Sequence, residues 1–261
     1  MAHILTDIVY VKKKAVQGLK NQVSIKTLEK QSASICLQNR LTEALKKNDT
    51  IKIIAEYKRA SPSAGIISLK DVAEVCMQYK DGGAAAVSIL TEEDFFNGSL
   101  QDIDTVKKRI DLPVLRKDFI IDVYQIFETI VHGAEAVLLI TAVLERKELA
   151  FLLETAGQFK LDAVVEVHSR KELDTAVDAG AGIIGINNRN LNDFSTNLQV
   201  TEDLMPHIPE GLIVISESGF KSPQDIQRFK ESRVNAVLIG ESLMKAADIR
   251  AFVQDLVQAG R

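Results

Sequence analysis

Eight short runs of Val, Ile, Leu and Ala recur along the chain at similar intervals, and this repetition constrains the fold more than any other feature. Each run is apolar almost throughout, which is typical of parallel strands buried on both faces. Segments with apolar residues at i, i+3 and i+4 separate the runs, so strand and helix alternate. The runs begin at Ile51, Ala84, Pro113, Ala136, Ala163, Gly182, Ile213 and Ala236.

The predicted helices carry their own boundary signals. Ser222 before Pro223 is typical of an N-cap with proline in the first turn, and Gly133 and Gly180 stand where helices must end. Helices are predicted over 68–83, 122–134, 145–159, 169–181 and 222–233, with one closing helix after the eighth strand.

An alternating pattern of this kind gives either a closed barrel or an open doubly wound sheet. Eight units of similar length favour the barrel, and no G-x-G-x-x-G turn of a dinucleotide-binding sheet follows the first strand. A length of 261 residues suits one such domain. We therefore predict an α/β protein with a single (β/α)8 TIM barrel, in which residues 1–50 form an N-terminal helical extension and residues 51–261 form the barrel.

The extension has helical patterns over 7–22, 24–30 and 36–49. It forms either a stabilising layer over the lower rim of the barrel or a lid and support over the first βα loop, and the sequence leaves both open. The basic run Lys12, Lys13 and Lys14 predicts a solvated helix face without a function.

Composition excludes several classes of function. A formal net charge of -4 supplies no general basic field for nucleic acid, and no run approaches the roughly 20 apolar residues of a membrane span. Cys36 and Cys76 have no partner at metal-ligand or redox spacing, which predicts two core residues in a reducing compartment. We expect a cytoplasmic protein with no metal, membrane or nucleic-acid partner; the sequence does not give the oligomeric state, and we expect a monomer.

Charged side chains interrupt the apolar pattern at the carboxyl ends of the strands, where barrels have their active sites. Glu56 and Lys58 are two residues apart at the end of strand 1, so both point to the same side. The loop RASPSAG follows, and its Ser61 hydroxyl is a candidate ligand contact.

Strands 3 and 5 end in candidate acid and base groups. Lys117 and Phe119 share a side of strand 3, and a lysine near other charges has a tunable pKa. Glu166 is a lone carboxylate inside the apolar run of strand 5, where burial is expected to raise its pKa to values useful in acid–base chemistry. His168 has the same parity as Glu166, but the sequence assigns it no role.

Strands 6, 7 and 8 end in groups suited to binding. Asn187 and Arg189 share a side of strand 6 and offer an amide and a guanidinium to a carboxylate. Strands 7 and 8 end in the runs Ser216–Gly219 and Ile239–Ser242, and glycine-bearing turns at these two places bind phosphate in many barrels.

The motifs IIAEYKRASPSAG, VLRKDFI, VVEVHS, IGINNRNL, ISESG and VLIGESLM together resemble the indole-3-glycerol-phosphate synthase family of tryptophan biosynthesis. The resemblance runs from about Lys52 to Met244 in the family's order. It implies a carboxy-lyase that converts 1-(2-carboxyphenylamino)-1-deoxyribulose 5-phosphate to indole-3-glycerol phosphate. Carbon dioxide and water are released, with neither a metal nor an organic cofactor.

The resemblance also implies a role for each candidate residue. Lys117 is the general acid at the ribulose carbonyl, Glu166 and Lys58 move protons in the dehydration in an undecided division of labour, and Glu56 orients the lysines. The residues that position the substrate are Asn187, Arg189 and Glu217. The other binding residues are Ser61 and Phe119 at the anthranilate end, Leu238, and the phosphate contacts Ser218, Gly219, Gly240 and Glu241.

Three positions depart from the family pattern: Tyr57 replaces an aliphatic residue, Ala64 a frequent lysine, and Glu241 a frequent serine. Ala64 bears on closure of the first loop. A phosphoribosylanthranilate isomerase is one alternative, but it needs a Cys and an Asp at strand ends, and neither cysteine lies at one. A non-catalytic barrel is the other, and it would tolerate loss of the mouth charges.

Overall fold

The computed structural model describes residues 3–46, 50–190 and 193–261. Eight parallel strands close into a barrel in the order β1-β8-β7-β6-β5-β4-β3-β2, which confirms the predicted TIM barrel. Residues 47–49 of the third predicted helix and Leu191 of the motif IGINNRNL lie outside the described ranges. The strands are β1 (Lys52–Tyr57), β2 (Ala86–Leu90), β3 (Val114–Lys117), β4 (Ala136–Ile140), β5 (Asp162–Val167), β6 (Ile183–Asn187), β7 (Ile213–Glu217) and β8 (Ala236–Ile239).

Helices precede the barrel and follow every strand. The three helical segments of the extension, the five predicted helices between strands and the closing helix are all present. Short helices after β2, β6 and β8 are additional. The helices are α1 (His3–Gln22), α2 (Ile25–Ser32), α3 (Arg40–Leu45), α4 (Val72–Gly82), α5 (Gln101–Lys107), α6 (Val123–Val131), α7 (Arg146–Gln158), α8 (Arg170–Asp178), α9 (Gln199–Leu204), α10 (Pro223–Gln227), α11 (Glu241–Lys245) and α12 (Ile249–Ala259).

The boundary residues act as the sequence predicts. Ser222 caps α10 in a reciprocal arrangement with Asp225, and Pro223 occupies the first helical position. Gly133 and Gly180 adopt φ values of 79° and 92° after α6 and α8. These left-handed conformations favour glycine, so each glycine ends its helix without steric cost.

The core has two parts. Side chains that point inward from the strands, among them Ile54, Leu115 and Val164, fill the barrel interior, and a larger apolar layer lies between the strands and the surrounding helices. Because both faces of each strand are covered, the near-continuous apolar runs have a physical reason.

The N-terminal extension contacts both ends of the barrel, through α3 at the lower rim and α1 at the cavity. Leu41 and Leu45 of α3 join the barrel-interior cluster from below. The Thr42 amide donates to Asp162, the first residue of β5, over 2.9 Å, which fixes α3 at the amino ends of the strands. Helix α1 instead contributes Ile4 and Ile8 to the cavity at the carboxyl ends.

Two expectations for this region were wrong. Lys12 is buried, because its ammonium pairs with Asp118, whereas Lys13 and Lys14 are exposed as predicted. Cys36 is exposed and not a core residue, since it lies in the extended segment between α2 and α3, while Cys76 is buried in α4. In the described ranges, no helix has the length and apolarity needed to cross a membrane.

Candidate active site

A cavity opens at the carboxyl ends of the strands, where the sequence placed the candidate residues. All of the candidates except Ser61 line it. Ser61 lies beside it in the first loop, and its hydroxyl accepts the amide of Ala64 over 3.2 Å. Its neighbours Pro62 and Ser63 reach the cavity instead, so the loop contributes to the site through other residues than the one predicted.

Lys117 lies at the centre of the charged groups in this cavity. Its ammonium is 3.0 Å from Glu166 Oε2 and 3.3 Å from Glu217 Oε2, and both carboxylates are buried. The three residues end β3, β5 and β7, which are alternate strands of the barrel, so their side chains meet at one level inside it. The Lys117 ammonium, held between two carboxylates, can donate a proton to a bound group and later take it back.

Glu56 and Lys58 form a second ion pair in the cavity. Lys58 Nζ lies 2.9 Å from Glu56 Oε1, and both side chains are largely buried. Glu56 also faces the central lysine and raises the pKa of Lys117. The two lysines therefore share a field produced by three buried carboxylates.

Two glycines leave the space that these carboxylates occupy. A Cβ atom at Gly185 of β6 would lie 2.3 Å from Glu217 Oε1, and one at Gly240 after β8 would lie 2.5 Å from Glu56 Oε1. Contacts this short do not occur, so any side chain at either position would displace a carboxylate. Glycine is needed at these two positions for space and not for backbone conformation, since neither residue has a positive φ.

Burial and neighbouring charges shift the pKa values of the charged groups in different directions. Burial disfavours charge on Lys117, but Glu166, Glu217 and Glu56 outweigh it and raise its pKa. Burial also acts on Glu166, but Lys117 and His168 outweigh it and lower the pKa of Glu166. The expectation from the sequence that burial raises the pKa of Glu166 is therefore wrong. Burial instead raises the pKa of Glu217 to about 7, since Lys117 offsets this less and Glu166 and Glu56 add to it.

Asn187 and Arg189 hold the β6 side of the cavity. The Asn187 carboxamide hydrogen-bonds to Glu166, and its Oδ1 also accepts the Arg189 amide over 3.0 Å. The Arg189 guanidinium donates to the carbonyl of Phe194 over 3.0 Å and approaches Glu241 Oε2 to 3.6 Å. A partly exposed guanidinium is thus fixed at the cavity rim, where it can pair with an anionic group of a ligand.

The turns after β7 and β8 form the third part of the site. Ser218 and Gly219 have φ values of 66° and 93°, so two successive residues are left-handed and turn the chain sharply at the cavity. Gly240 precedes α11, which begins at Glu241. The Glu241 carboxylate pairs with Lys245 at 2.6 Å.

An apolar wall completes the cavity, and the sequence did not reveal most of it. Phe96 and Phe119 have ring centroids 6.1 Å apart on this wall, and Phe194 lies across from them in the lining. The sequence contained one signal that α1 packs against the barrel: Ile4, Ile8 and Lys12 are spaced four residues apart and share one face of this helix. Other lining residues outside the sequence prediction are Leu5, Leu90, Asp118, Leu138, Ile140, Phe220, Ile239 and Ser242.

Comparisons with known proteins identify the family of the chain. A family model described as indole-3-glycerol phosphate synthase matches residues 5–256. The protein of that name from Chlorobium limicola is 52% identical over 196 residues, covering 75% of this chain and 76% of its own length. The one from Chlorobium phaeobacteroides is 44% identical over 251 residues, covering 95% and 97%.

The same barrel occurs in solved structures with little sequence likeness. The crystal structure of 3-hexulose-6-phosphate synthase from Salmonella typhimurium superposes with a TM-score of 0.66 at 13% identity, covering 80% of this chain and 98% of the other. At that identity the likeness concerns the fold alone.

Proposed function

Because the chain belongs to the indole-3-glycerol phosphate synthase family, we propose that it converts 1-(2-carboxyphenylamino)-1-deoxyribulose 5-phosphate to indole-3-glycerol phosphate, as a carboxy-lyase. The observation that carries the proposal is the position of Lys117 between Glu166 and Glu217 at the cavity centre. A further ion pair, Glu56–Lys58, lies in the same cavity beside an apolar wall. Ring closure and dehydration both need proton transfers, and these groups are suited to them.

In the first step the ring carbon that bears the carboxylate bonds to the ribulose carbonyl carbon. The carbonyl oxygen gains the electron pair of its π bond and takes a proton from Lys117, which leaves a hydroxyl group. A donor held at the developing alkoxide lowers the barrier to this step. Glu166 and Glu217 keep Lys117 charged until the oxygen becomes basic enough to take the proton.

In the second step the bond between the ring and the carboxylate breaks. Its electron pair restores the aromatic ring, and carbon dioxide leaves. No enzyme group has to supply or remove a proton at this point, so the site needs only to hold the intermediate. Phe119 and Ile8 of the apolar wall pack against the aromatic end in this arrangement.

In the third step water is lost from the five-membered ring. An acid protonates the hydroxyl formed in the first step, and a base takes the proton from the neighbouring carbon, whose C–H electrons form the indole double bond. The lowered pKa of Glu166 keeps its carboxylate ionised, and only the ionised form can take a proton, so we assign Glu166 as the base. Lys58 is then the acid. Glu56 holds the Lys58 ammonium in place over 2.9 Å.

The remaining residues bind and orient the substrate in this proposal. Asn187 and Arg189 contact its hydroxyl and carboxylate groups, while Leu238 packs beneath it. The phosphate is bound by the turns after β7 and β8, through Ser218, Gly219, Gly240 and Glu241, mainly by backbone groups. We further propose a monomer acting in the cytoplasm, in keeping with the unpaired Cys36 and Cys76.

The decisive experiment is a turnover assay with purified protein and synthetic substrate in a chelating buffer. Indole fluorescence should rise, with one carbon dioxide released per indole formed, and the signal is clean because the chain has no Trp. Binding of the substrate without turnover would reject the proposal and favour a non-catalytic barrel. Isomerisation of phosphoribosylanthranilate should be undetectable, since Cys36 and Cys76 both lie away from the strand ends.

A further inference from the structure

His168 contacts the candidate base, yet the reaction proposed above does not use it. It follows β5 directly, two residues beyond Glu166, and its Nε2 atom lies 3.5 Å from Glu166 Oε1. This nitrogen is buried, and within the described part of the chain it has no hydrogen-bond partner. His168 does not line the cavity, so a direct contact with substrate is not its role.

Glu172 fixes the position of the His168 ring. Its Oε2 atom accepts the backbone amide of His168 over 2.8 Å and lies 3.2 Å from Nδ1 of the ring. Glu172 stands in the first turn of α8, which Ser169 caps by accepting the Glu172 amide. The start of this helix therefore holds the ring in one orientation, with Nε2 directed at Glu166.

The charge state of the ring follows from its two neighbours. Nδ1 faces the carboxylate of Glu172, which accepts hydrogen bonds only, so Nδ1 carries a proton. A neutral ring would then direct the lone pair of Nε2 at the Glu166 carboxylate, which is repulsive. A second proton on Nε2 turns this contact into an attraction. Burial lowers the pKa of His168, but Glu172, Glu166 and Glu217 outweigh it and raise the pKa above its usual value.

We propose that His168, held as an imidazolium by Glu172, is a positioning residue that keeps Glu166 ionised and fixes its carboxylate against Lys117. Each oxygen of Glu166 then faces one cation: Oε2 faces Lys117 at 3.0 Å and Oε1 faces His168 at 3.5 Å. The inference rests on the proposed function, because it concerns the base of the dehydration step. When Glu166 takes the substrate proton, it loses its attraction to His168, so the contact is strongest before proton transfer.

The first test is an NMR titration that needs no turnover. The chain has four histidines, so an imidazole ¹⁵N spectrum of the whole protein contains few signals. A Glu166→Gln substitution removes the facing charge and should lower the pKa of His168 by about one unit or more. The His132 titration serves as an internal control, because His132 pairs with Asp104. An unchanged His168 titration in the variant would overturn the proposal.

The second test is the pH profile of kcat in His168→Gln, which cannot carry a charge. Loss of the imidazolium raises the pKa of Glu166, so the acidic limb should move up by about one pH unit. That shift lowers kcat by about tenfold on the limb, with recovery at higher pH and KM within about threefold. The matched control His132→Gln breaks a similar histidine–carboxylate contact and should keep the wild-type profile.

The outcomes separate the possible failures. A purely structural role for His168 would lower activity equally at every pH and leave the acidic limb in place, which would overturn the proposal. If His168→Gln does not fold, the titration of the wild type and Glu166→Gln decides alone. If the wild type has no turnover, the proposed reaction fails, while the titration still decides whether His168 and Glu166 are coupled.

Discussion

Lys12 Nζ lies 2.8 Å from Asp118 Oδ1, and both side chains are buried. Asp118 directly follows Lys117 and also accepts hydrogen bonds from Arg116 and Thr91. The ion pair therefore joins the first helix of the chain to the strand end that presents the central lysine. It also gives the burial of α1 over the cavity an electrostatic reason beyond apolar packing.

Replacing Lys12 by Met should reduce the free energy of unfolding by about 1–3 kcal/mol, because Asp118 loses one of its buried partners but keeps Arg116. Urea unfolding monitored by circular dichroism measures the change. Lys13→Met alters an exposed neighbour and should stay within about 0.5 kcal/mol of the wild type. Equal stability of the two variants would show that the ion pair does not hold α1.

Replacing Lys117 by Met should lower kcat by about 10²–10⁴-fold and leave KM within about tenfold, since the proton donor is lost while the binding turns remain. Steady-state kinetics by indole fluorescence gives both constants. Lys13→Met is again the control, because it removes a lysine far from the cavity lining. A kcat within tenfold of the wild type would reject Lys117 as the acid.

Gly185→Ala and Gly240→Ala should each lower kcat by about ten- to a hundredfold, because the new Cβ displaces Glu217 or Glu56 by more than an ångström from its place. Since the three nearest atoms at each position belong to side chains and none to the backbone, the free energy of unfolding should change by less than about 1.5 kcal/mol. Gly182→Ala, with nothing within 4 Å of its Cβ, should keep wild-type activity. Activity in all three variants would contradict this account.

Replacing Glu217 by Gln should stabilise the protein more at pH 8 than at pH 5. The folded-state pKa of Glu217, about 7, lies above the unfolded value of 4.5. The wild type therefore loses stability as the pH rises from the unfolded pKa to the folded pKa. The variant lacks this carboxyl group, so its free energy of unfolding relative to the wild type should increase by about 1–3 kcal/mol between pH 5 and pH 8. Urea unfolding at both pH values tests this against exposed Glu231→Gln, which should show no such change.

The strands were predictable because each is buried on both faces, so a run such as Ala136–Ile140 is apolar from end to end. Helix α9, with six residues and no side-chain cap, carries too short a pattern to separate from a loop. The same holds for the five residues of α11. Helix prediction therefore succeeded where a long amphipathic face or a clear N-terminal cap marks the helix, and failed where a short helix has neither.

The site residues were predictable from strand-end parity, but their charge states were not. Glu166 and Glu217 are both buried carboxylates at strand ends, and their pKa values move in opposite directions. The difference comes from the closer Lys117 contact, from Asn187 and from His168, all of which act on Glu166. Such contacts join distant parts of the chain, so local sequence does not specify them.

The extension is made before the barrel, yet its polar contacts are completed late. Thr42 bonds to Asp162, and Lys12 pairs with Asp118, so both segments emerge long before their partners. Strand β1 likewise pairs with β8, the last strand. Long-range pairing of this kind slows folding, because the chain loses conformational entropy on closing long loops before the stabilising contacts form. During synthesis the apolar face of α1 therefore stays exposed until its partner helix α6 has been made, and in this interval the nascent chain is open to non-native association.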